Sequence, residues 1–142
     1  MRSPLAIPKT SPLKAVFSLM RKENKGYAVV LEDEASRKVA GIFTERDVMT
    51  RVAEQKIAAS TPVEKVMTPQ PTTLKLTDSV ADAIRLMSQG RYRHLPLVDE
   101  AGGLVGVLSV RDLITYLAEH YPHQVFNLPP DPHQVIRAPE GA

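Results

Sequence analysis

The chain has no cysteine and no tryptophan, and only three phenylalanines and four tyrosines among 142 residues. Without cysteine there can be no disulfide, thiolate zinc site or cysteine nucleophile, a usage that fits a reducing compartment. With so few aromatic rings the core must be aliphatic. Neither sign of charge dominates: the formal net charge is +2, too little to argue for nucleic acid or an anionic membrane as a partner. No apolar run approaches the roughly 18 residues of a membrane span, and no signal-peptide core follows Met1. A soluble, cytoplasmic protein is expected. There is also no glycine-rich phosphate loop, no nucleophile set beside a base and an orienting acid, and no metal-ligand constellation, so no enzyme is expected. What remains is an ordinary globular composition, 43% apolar and 24% charged, on a chain long enough to bury a core.

The most informative stretch is one the chain repeats. Gly41-Ile42-Phe43-Thr44-Glu45-Arg46-Asp47-Val48 is echoed by Gly106-Val107-Leu108-Ser109-Val110-Arg111-Asp112-Leu113. In each copy a short apolar run ends at a hydroxyl residue, with an acid three positions later. That pattern reads as a strand entering a helix, with Thr44 or Ser109 as N-cap and Asp47 or Asp112 reaching back to it. The first N–H groups of such a helix lack internal partners and its dipole is positive there, so an anionic group such as a phosphate can also settle at that end. Arg46 and Arg111 stand just before the acids, where a phosphate or a solvated salt bridge would suit them equally.

Twelve prolines punctuate the chain at segment edges. A short edge strand is expected around Leu5, Ala6 and Ile7, between Pro4 and Pro8. A helix should start at Thr10 or Ser11, with Pro12 in its first turn and Leu13, Val16, Phe17 and Met20 on its buried face. Gly26 would cap its end. Residues 27–31 are almost wholly apolar, as in a strand covered on both faces. A charged turn and a strand over 39–43 lead into the helix from Thr44, with Val48, Arg51, Val52 and Gln55 on adjoining turns. Residues 57–71, with three prolines, read as a connector carrying a short amphipathic stretch at 63–67. The pattern then restarts: a strand over 72–76, a helix with Val80, Ala83, Ile84 and Met87 inward, strands over 95–98 and 104–108, and a helix from Ser109 to about His120.

The restart is an internal repeat. Thr10 matches Thr77 and Leu19-Met20 matches Leu86-Met87 at an offset of 67, whereas Gly41 and Gly106 are 65 apart. The two-residue difference falls in the turn, where insertions are tolerated. Two units of strand–helix–strand–strand–helix are expected: repeat 1 over 1–56, a linker over 57–71, repeat 2 over 72–120, and a proline-rich tail over 121–142. The tail is expected to be an extended or partly disordered arm, docking on the body or on a second subunit through Phe126 and Leu128. His120, His123 and His133 do not read as a metal site, since Pro122 breaks the first pair. Met20, Met67 and Met87 read as core filler.

These units resemble the CBS domain (named from cystathionine beta-synthase), and the two together resemble a CBS pair, or Bateman module. The likeness covers about residues 3–120. Repeat 2 carries it most fully, in Val66-Met67-Thr68-Pro69, Arg93-His94-Leu95-Pro96-Leu97-Val98-Asp99, and the motif from Gly106 to Leu113. Repeat 1 matches in Gly41 to Asp47 but opens almost at its first strand, with no Met-Thr-Pro lead-in. The resemblance implies an α/β fold of two β-α-β-β-α repeats related by a pseudo-twofold axis. It also implies a regulatory module that requires no cofactor and binds AMP, ADP, ATP or S-adenosylmethionine between the repeats. Carried over, Asp112 would accept from ribose hydroxyls and Ser109 would donate to phosphate, with Arg93 and His94 pairing the phosphate. Thr44 and Asp47 would serve the symmetry-related cleft. Lys25, Gly26, Tyr27, Leu5 and Ala6 would line the adenine side. Because Arg93 and His94 correspond to Gly26 and Tyr27, the two clefts should be unequal, the second stronger. The resemblance further implies a homodimer that signals to an effector protein or domain. The competing reading is a ligand-independent dimerisation and interaction module.

Overall fold

The computed structural model describes residues 3–120; the tail over 121–142, with Phe126, Leu128, His123 and His133, lies outside the described residues. Strands β1 (Ala6–Pro8), β2 (Tyr27–Leu31), β3 (Val39–Thr44) and β4 (Thr68–Pro69) form one sheet in that order, with helix α1 (Leu13–Glu23) between β1 and β2. Strands β5 (Leu74–Lys75), β6 (His94–Val98) and β7 (Leu104–Ser109) form the second, with α3 (Val80–Gly90) between β5 and β6. In both sheets the first pair is parallel and the second antiparallel. Helix α2 follows β3, as one α-helical turn at Glu45–Asp47 and then a π-helical segment at Val48–Ala53; α4 (Val110–His120) follows β7.

The repeat holds down to its irregularities. The register of the β2–β3 pair shifts between Val30 and Leu31, and that of β6–β7 between Leu97 and Val98, the same positions at the offset of 67. Helices α1 and α3 both end on a left-handed residue, Asn24 (φ 52°) and Arg91 (φ 55°), again 67 apart. Asn24 therefore takes the capping place expected of Gly26; asparagine tolerates this conformation because its short amide can bond locally.

Apolar spacing explains the packing. Leu13, Val16 and Met20 bury one stripe of α1, and Ala83 and Met87 one stripe of α3. All five residues of β2 are buried, so its run of valines is covered on both faces. The larger core gathers β1, α1, β2 and β3 and takes in Leu104 and Val107 of β7, which ties the repeats together. Backbone bonds reinforce that junction, Leu104 N–H donating to the Arg37 carbonyl at 2.8 Å. The smaller core holds Leu74, Ala83, Met87, Leu95, Leu97 and Leu113.

Four boundaries differ from expectation. Helix α1 starts at Leu13, because Pro12 takes an extended N-cap conformation with no side-chain cap. β5 is two residues long. Helix α2 widens after Asp47 and ends at Ala53, leaving Gln55 beyond it; Arg51 reaches the Met67 carbonyl at 2.7 Å, and Thr50 donates to the Arg46 carbonyl at 2.9 Å. Residues 57–71, finally, are part of repeat 1's packing: Val63 is fully buried and Thr68–Pro69 pairs with β3. Gly41 makes that pairing possible, since a Cβ there would strike the Met67 sulfur and lie 2.8 Å from the Thr68 carbonyl oxygen.

Candidate functional site

Strand register brings the predicted residues to the junction of the two sheets. Tyr27 is opposite Thr44 in the β2–β3 pair, and His94 is opposite Ser109 in β6–β7. Tyr27 and His94 are counterparts under the repeat, and their rings meet with centroids 4.7 Å apart, tilted by 38°. Equivalent backbone bonds fix both strand–helix turns: Glu45 N–H donates to the Gly26 carbonyl at 3.1 Å, and Val110 N–H to the Arg93 carbonyl at 3.0 Å. Ala6, half-buried on β1, pairs with Val29, while Leu5 N–H donates to the Tyr27 hydroxyl at 3.4 Å.

The electrostatics at the ring pair follow from burial. His94 is pushed below the ordinary histidine value by desolvation and then by the Arg93 guanidinium. Lys25 acts in the same direction, and Glu45 and Asp112 oppose them. The Tyr27 phenol is raised, first by burial, with the Leu5 N–H bond opposing and the charge of Asp112 adding. At neutral pH the ring pair is therefore uncharged, with the charges of Arg93, Lys25, Glu45 and Asp112 all near enough to act on His94.

The two hydroxyl-x-x-Asp motifs fold alike but are occupied differently. In copy one Asp47 is 5% exposed. Its Oδ2 accepts from Thr44 N–H at 3.0 Å and from the Thr44 hydroxyl at 3.2 Å, and its Oδ1 from the Thr68 hydroxyl at 3.1 Å. The Arg51 Nε lies 3.5 Å from that same Oδ1. Both carboxylate oxygens are committed. In copy two Asp112 is exposed: Oδ2 accepts from Ser109 N–H at 3.1 Å, and Asp112 N–H donates to Ser109 Oγ at 3.0 Å. Asp112 Oδ1 has no hydrogen-bond partner among the described residues, on a side chain that is exposed. The Ser109 hydroxyl proton is likewise not spent on its own aspartate.

Two participants were missed from the sequence. Glu45 occupies the space that a side chain at Gly26 would fill, with its carboxylate against that glycine. The signal lay in the paired exchange of Gly26 for Arg93 and Glu45 for Val110 between the copies. Thr68, the hydroxyl that ties up Asp47, belongs to the Met67-Thr68-Pro69 stretch and acts across repeats, which spacing alone does not reveal. His120 is accounted for locally, its Nδ1 3.0 Å from the Tyr116 carbonyl oxygen and its ring 4.2 Å from that of Tyr116.

The model of the CBS domain matches residues 1–54 and 63–119. An uncharacterized 17.7 kDa protein of Acidianus ambivalens is 35% identical over 100 residues, covering 70% of this chain and 58% of that protein. The CBS domain-containing protein YhcV of Bacillus subtilis is 35% identical over 101 residues, covering 71% of this chain and 69% of the relative. Among solved structures, a CBS domain protein from Pyrobaculum aerophilum complexed with AMP superposes with a TM-score of 0.72 at 28% identity, over 84% of this chain and 94% of that one. The chain belongs to the CBS domain family, as a tandem pair of its repeats.

Proposed function

We propose that the chain is a regulatory module that binds an adenine nucleotide at the cleft built on Ser109 and Asp112, and that binding changes its conformation or assembly for an effector to read. One observation carries the reading: of two equivalent aspartates, Asp47 is consumed by the fold, while Asp112 keeps an open carboxylate oxygen beside a helix N-terminus. A ribose diol needs such an acceptor, and a phosphate is served by the Ser109 hydroxyl, the first N–H groups of α4 and the Arg93 charge. Tyr27, His94, Gly26, Leu5 and Ala6 supply the flat and apolar contacts that adenine wants. The AMP complex of the Pyrobaculum relative supports the same ligand class. The Thr44–Asp47 cleft is the weaker site on this reading. The role is binding, with no bond made or broken.

The direct test is a thermal-shift and calorimetric panel of AMP, ADP, ATP and S-adenosylmethionine. A ligand selective for the native state raises stability by about 2.7 kcal/mol at a hundredfold excess over its dissociation constant. A shift with one ligand that disappears in Asp112→Ala supports the reading; no shift with any of the four refutes it.

A second reading, assembly without a ligand, rests on Met49 and Ile114. They are 66% and 57% exposed and stand at equivalent positions on α2 and α4, 65 residues apart. Large apolar side chains exposed at the same place in both repeats suit a homodimer contact. Sedimentation of Met49→Lys/Ile114→Lys against the unaltered chain separates the readings: a monomer that still binds nucleotide assigns these residues to assembly alone.

A further inference from the structure

Repeat 1 brings a carboxylate to the ring pair at a place where repeat 2 has an apolar side chain. Gly26 and Arg93 are counterparts at the offset of 67, and Glu45 and Val110 at the offset of 65. The two exchanges are coupled. A Cβ at Gly26 would collide with the Glu45 carboxylate, so the missing side chain is what lets Glu45 lie against the backbone there. The Glu45 N–H holds that arrangement by donating to the Gly26 carbonyl at 3.1 Å. In repeat 2 Val110 packs against the smaller core, and the place of Gly26 carries a guanidinium. The residue after Gly26 is Tyr27, whose ring meets that of His94 at 4.7 Å. Four charged groups act on His94: Arg93 from the entry to β6, Lys25 from the entry to β2, Glu45 from α2 and Asp112 from α4. Two are positive and two negative, so their formal charges cancel. Glu45 is exposed and makes no salt bridge among the described residues, so no ion-pair partner neutralises it.

We propose that Glu45 sets how many phosphates the nucleotide site accepts, its carboxylate admitting a nucleoside monophosphate and repelling the longer anion of a triphosphate. The inference rests on the Ser109–Asp112 cleft being the nucleotide site, and it narrows the ligand class of that cleft. With Asp112 spent on the ribose hydroxyls, and the first phosphate on Ser109, the start of α4 and Arg93, Lys25 is the cation left among the four groups. Glu45 offsets it. Each further phosphate therefore brings its charge towards a carboxylate, with no cation of that set left to answer it. The effect is modest because Glu45 is exposed, and it is still measurable. Even at the dielectric constant of water, two added unit charges about 7 Å from a carboxylate change affinity roughly fivefold.

The test is calorimetric titration of AMP and of ATP, without divalent cations, into the full chain and into Glu45→Gln, which keeps the side chain's size and removes its charge. The unaltered chain should bind AMP the more tightly, and Glu45→Gln should improve ATP roughly fivefold relative to AMP. Glu45→Val, which installs the residue of repeat 2, should shift the ratio the same way and so excludes a new bond from the glutamine amide. Neither variant removes a core contact, because the side chain is exposed. Salt supplies a readout that a purely steric role would not move: the shift in ratio should fade in 1 M salt, where the Debye length is about 3 Å. AMP binding with an unchanged ATP-to-AMP ratio in both variants overturns this inference and leaves the nucleotide site standing. A shift that persists undiminished at high salt overturns it as well. No binding of either nucleotide to the unaltered chain overturns this inference together with the reading of the cleft.

Discussion

Replacing Asp47 and Asp112 in turn by alanine separates the two roles proposed for them, Asp47 holding the fold and Asp112 left for a ligand. Removing the Asp47 carboxylate strips the acceptor from the Thr44 N–H and from the hydroxyls of Thr44 and Thr68, at a side chain 5% exposed. A lost helix-capping interaction costs about 1 kcal/mol, and each buried donor left unpaired costs about 1–3 kcal/mol. The Arg51 contact adds little, because its side chain is 43% exposed and the pair is screened. A total of about 3 kcal/mol is expected, a large share of a typical domain's stability of roughly 5–15 kcal/mol. With a urea slope of about 1.5 kcal/mol per molar, the midpoint falls by about 2 M. Asp112→Ala loses only the Ser109 cap on an exposed helix start, so at most about 1 kcal/mol. The assay is urea unfolding followed by circular dichroism, with equal slopes required for all three proteins. Equal losses in the two variants, or a loss below about 1 kcal/mol in Asp47→Ala, would refute the division of labour.

Val63→Ala, which leaves a void under α1 at a fully buried site, should cost about 2–3 kcal/mol by the same unfolding assay. Gly41→Ala forces a Cβ against Met67 and the Thr68 carbonyl; it should cost about 1–3 kcal/mol and expose to exchange the Gln70 amide, which donates to the Ala40 carbonyl at the end of β4. His94 has a native value below its unfolded one, so the unfolded chain binds the extra proton. His94 therefore contributes stability that is present above about pH 6.5 and is lost as pH falls through the lowered native value. The loss should vanish in His94→Gln, as read from thermal midpoints between pH 5 and 8.

Much of this architecture is legible in the sequence because it is written twice. Offsets of 67 and 65 locate the helix cores and every strand but β4, and the hydroxyl-x-x-Asp spacing places both helix starts, which the capping bonds of Thr44–Asp47 and Ser109–Asp112 display. The expected inequality of the two clefts rested on Arg93 and His94 standing where repeat 1 has Gly26 and Tyr27; the difference between the committed Asp47 and the exposed Asp112 is a separate one that the sequence reading did not contain. What escaped was long-range. Thr68 reaches Asp47 across 21 positions, and residues 57–71 read as a connector although Val63 is as deeply buried as any core residue. Prolines mark where a chain cannot continue a helix, but they do not say what its short apolar stretches pack against. The π-helical widening of α2 was equally silent, and so was the bond that Arg51 within it makes to the Met67 carbonyl 16 positions on. Gly26 was misread as a helix cap, because Asn24 two residues earlier takes the left-handed position that ends α1.

The central claim, that one adenine-nucleotide site is built on Asp112, is tested most directly by calorimetric titration of AMP into the unaltered chain and into Asp112→Asn. That variant keeps the side chain's size while removing the carboxylate. The account predicts saturable binding with one dominant site per chain, weakened at least tenfold by Asp112→Asn. Undiminished affinity in Asp112→Asn, or two equal sites per chain, would contradict it.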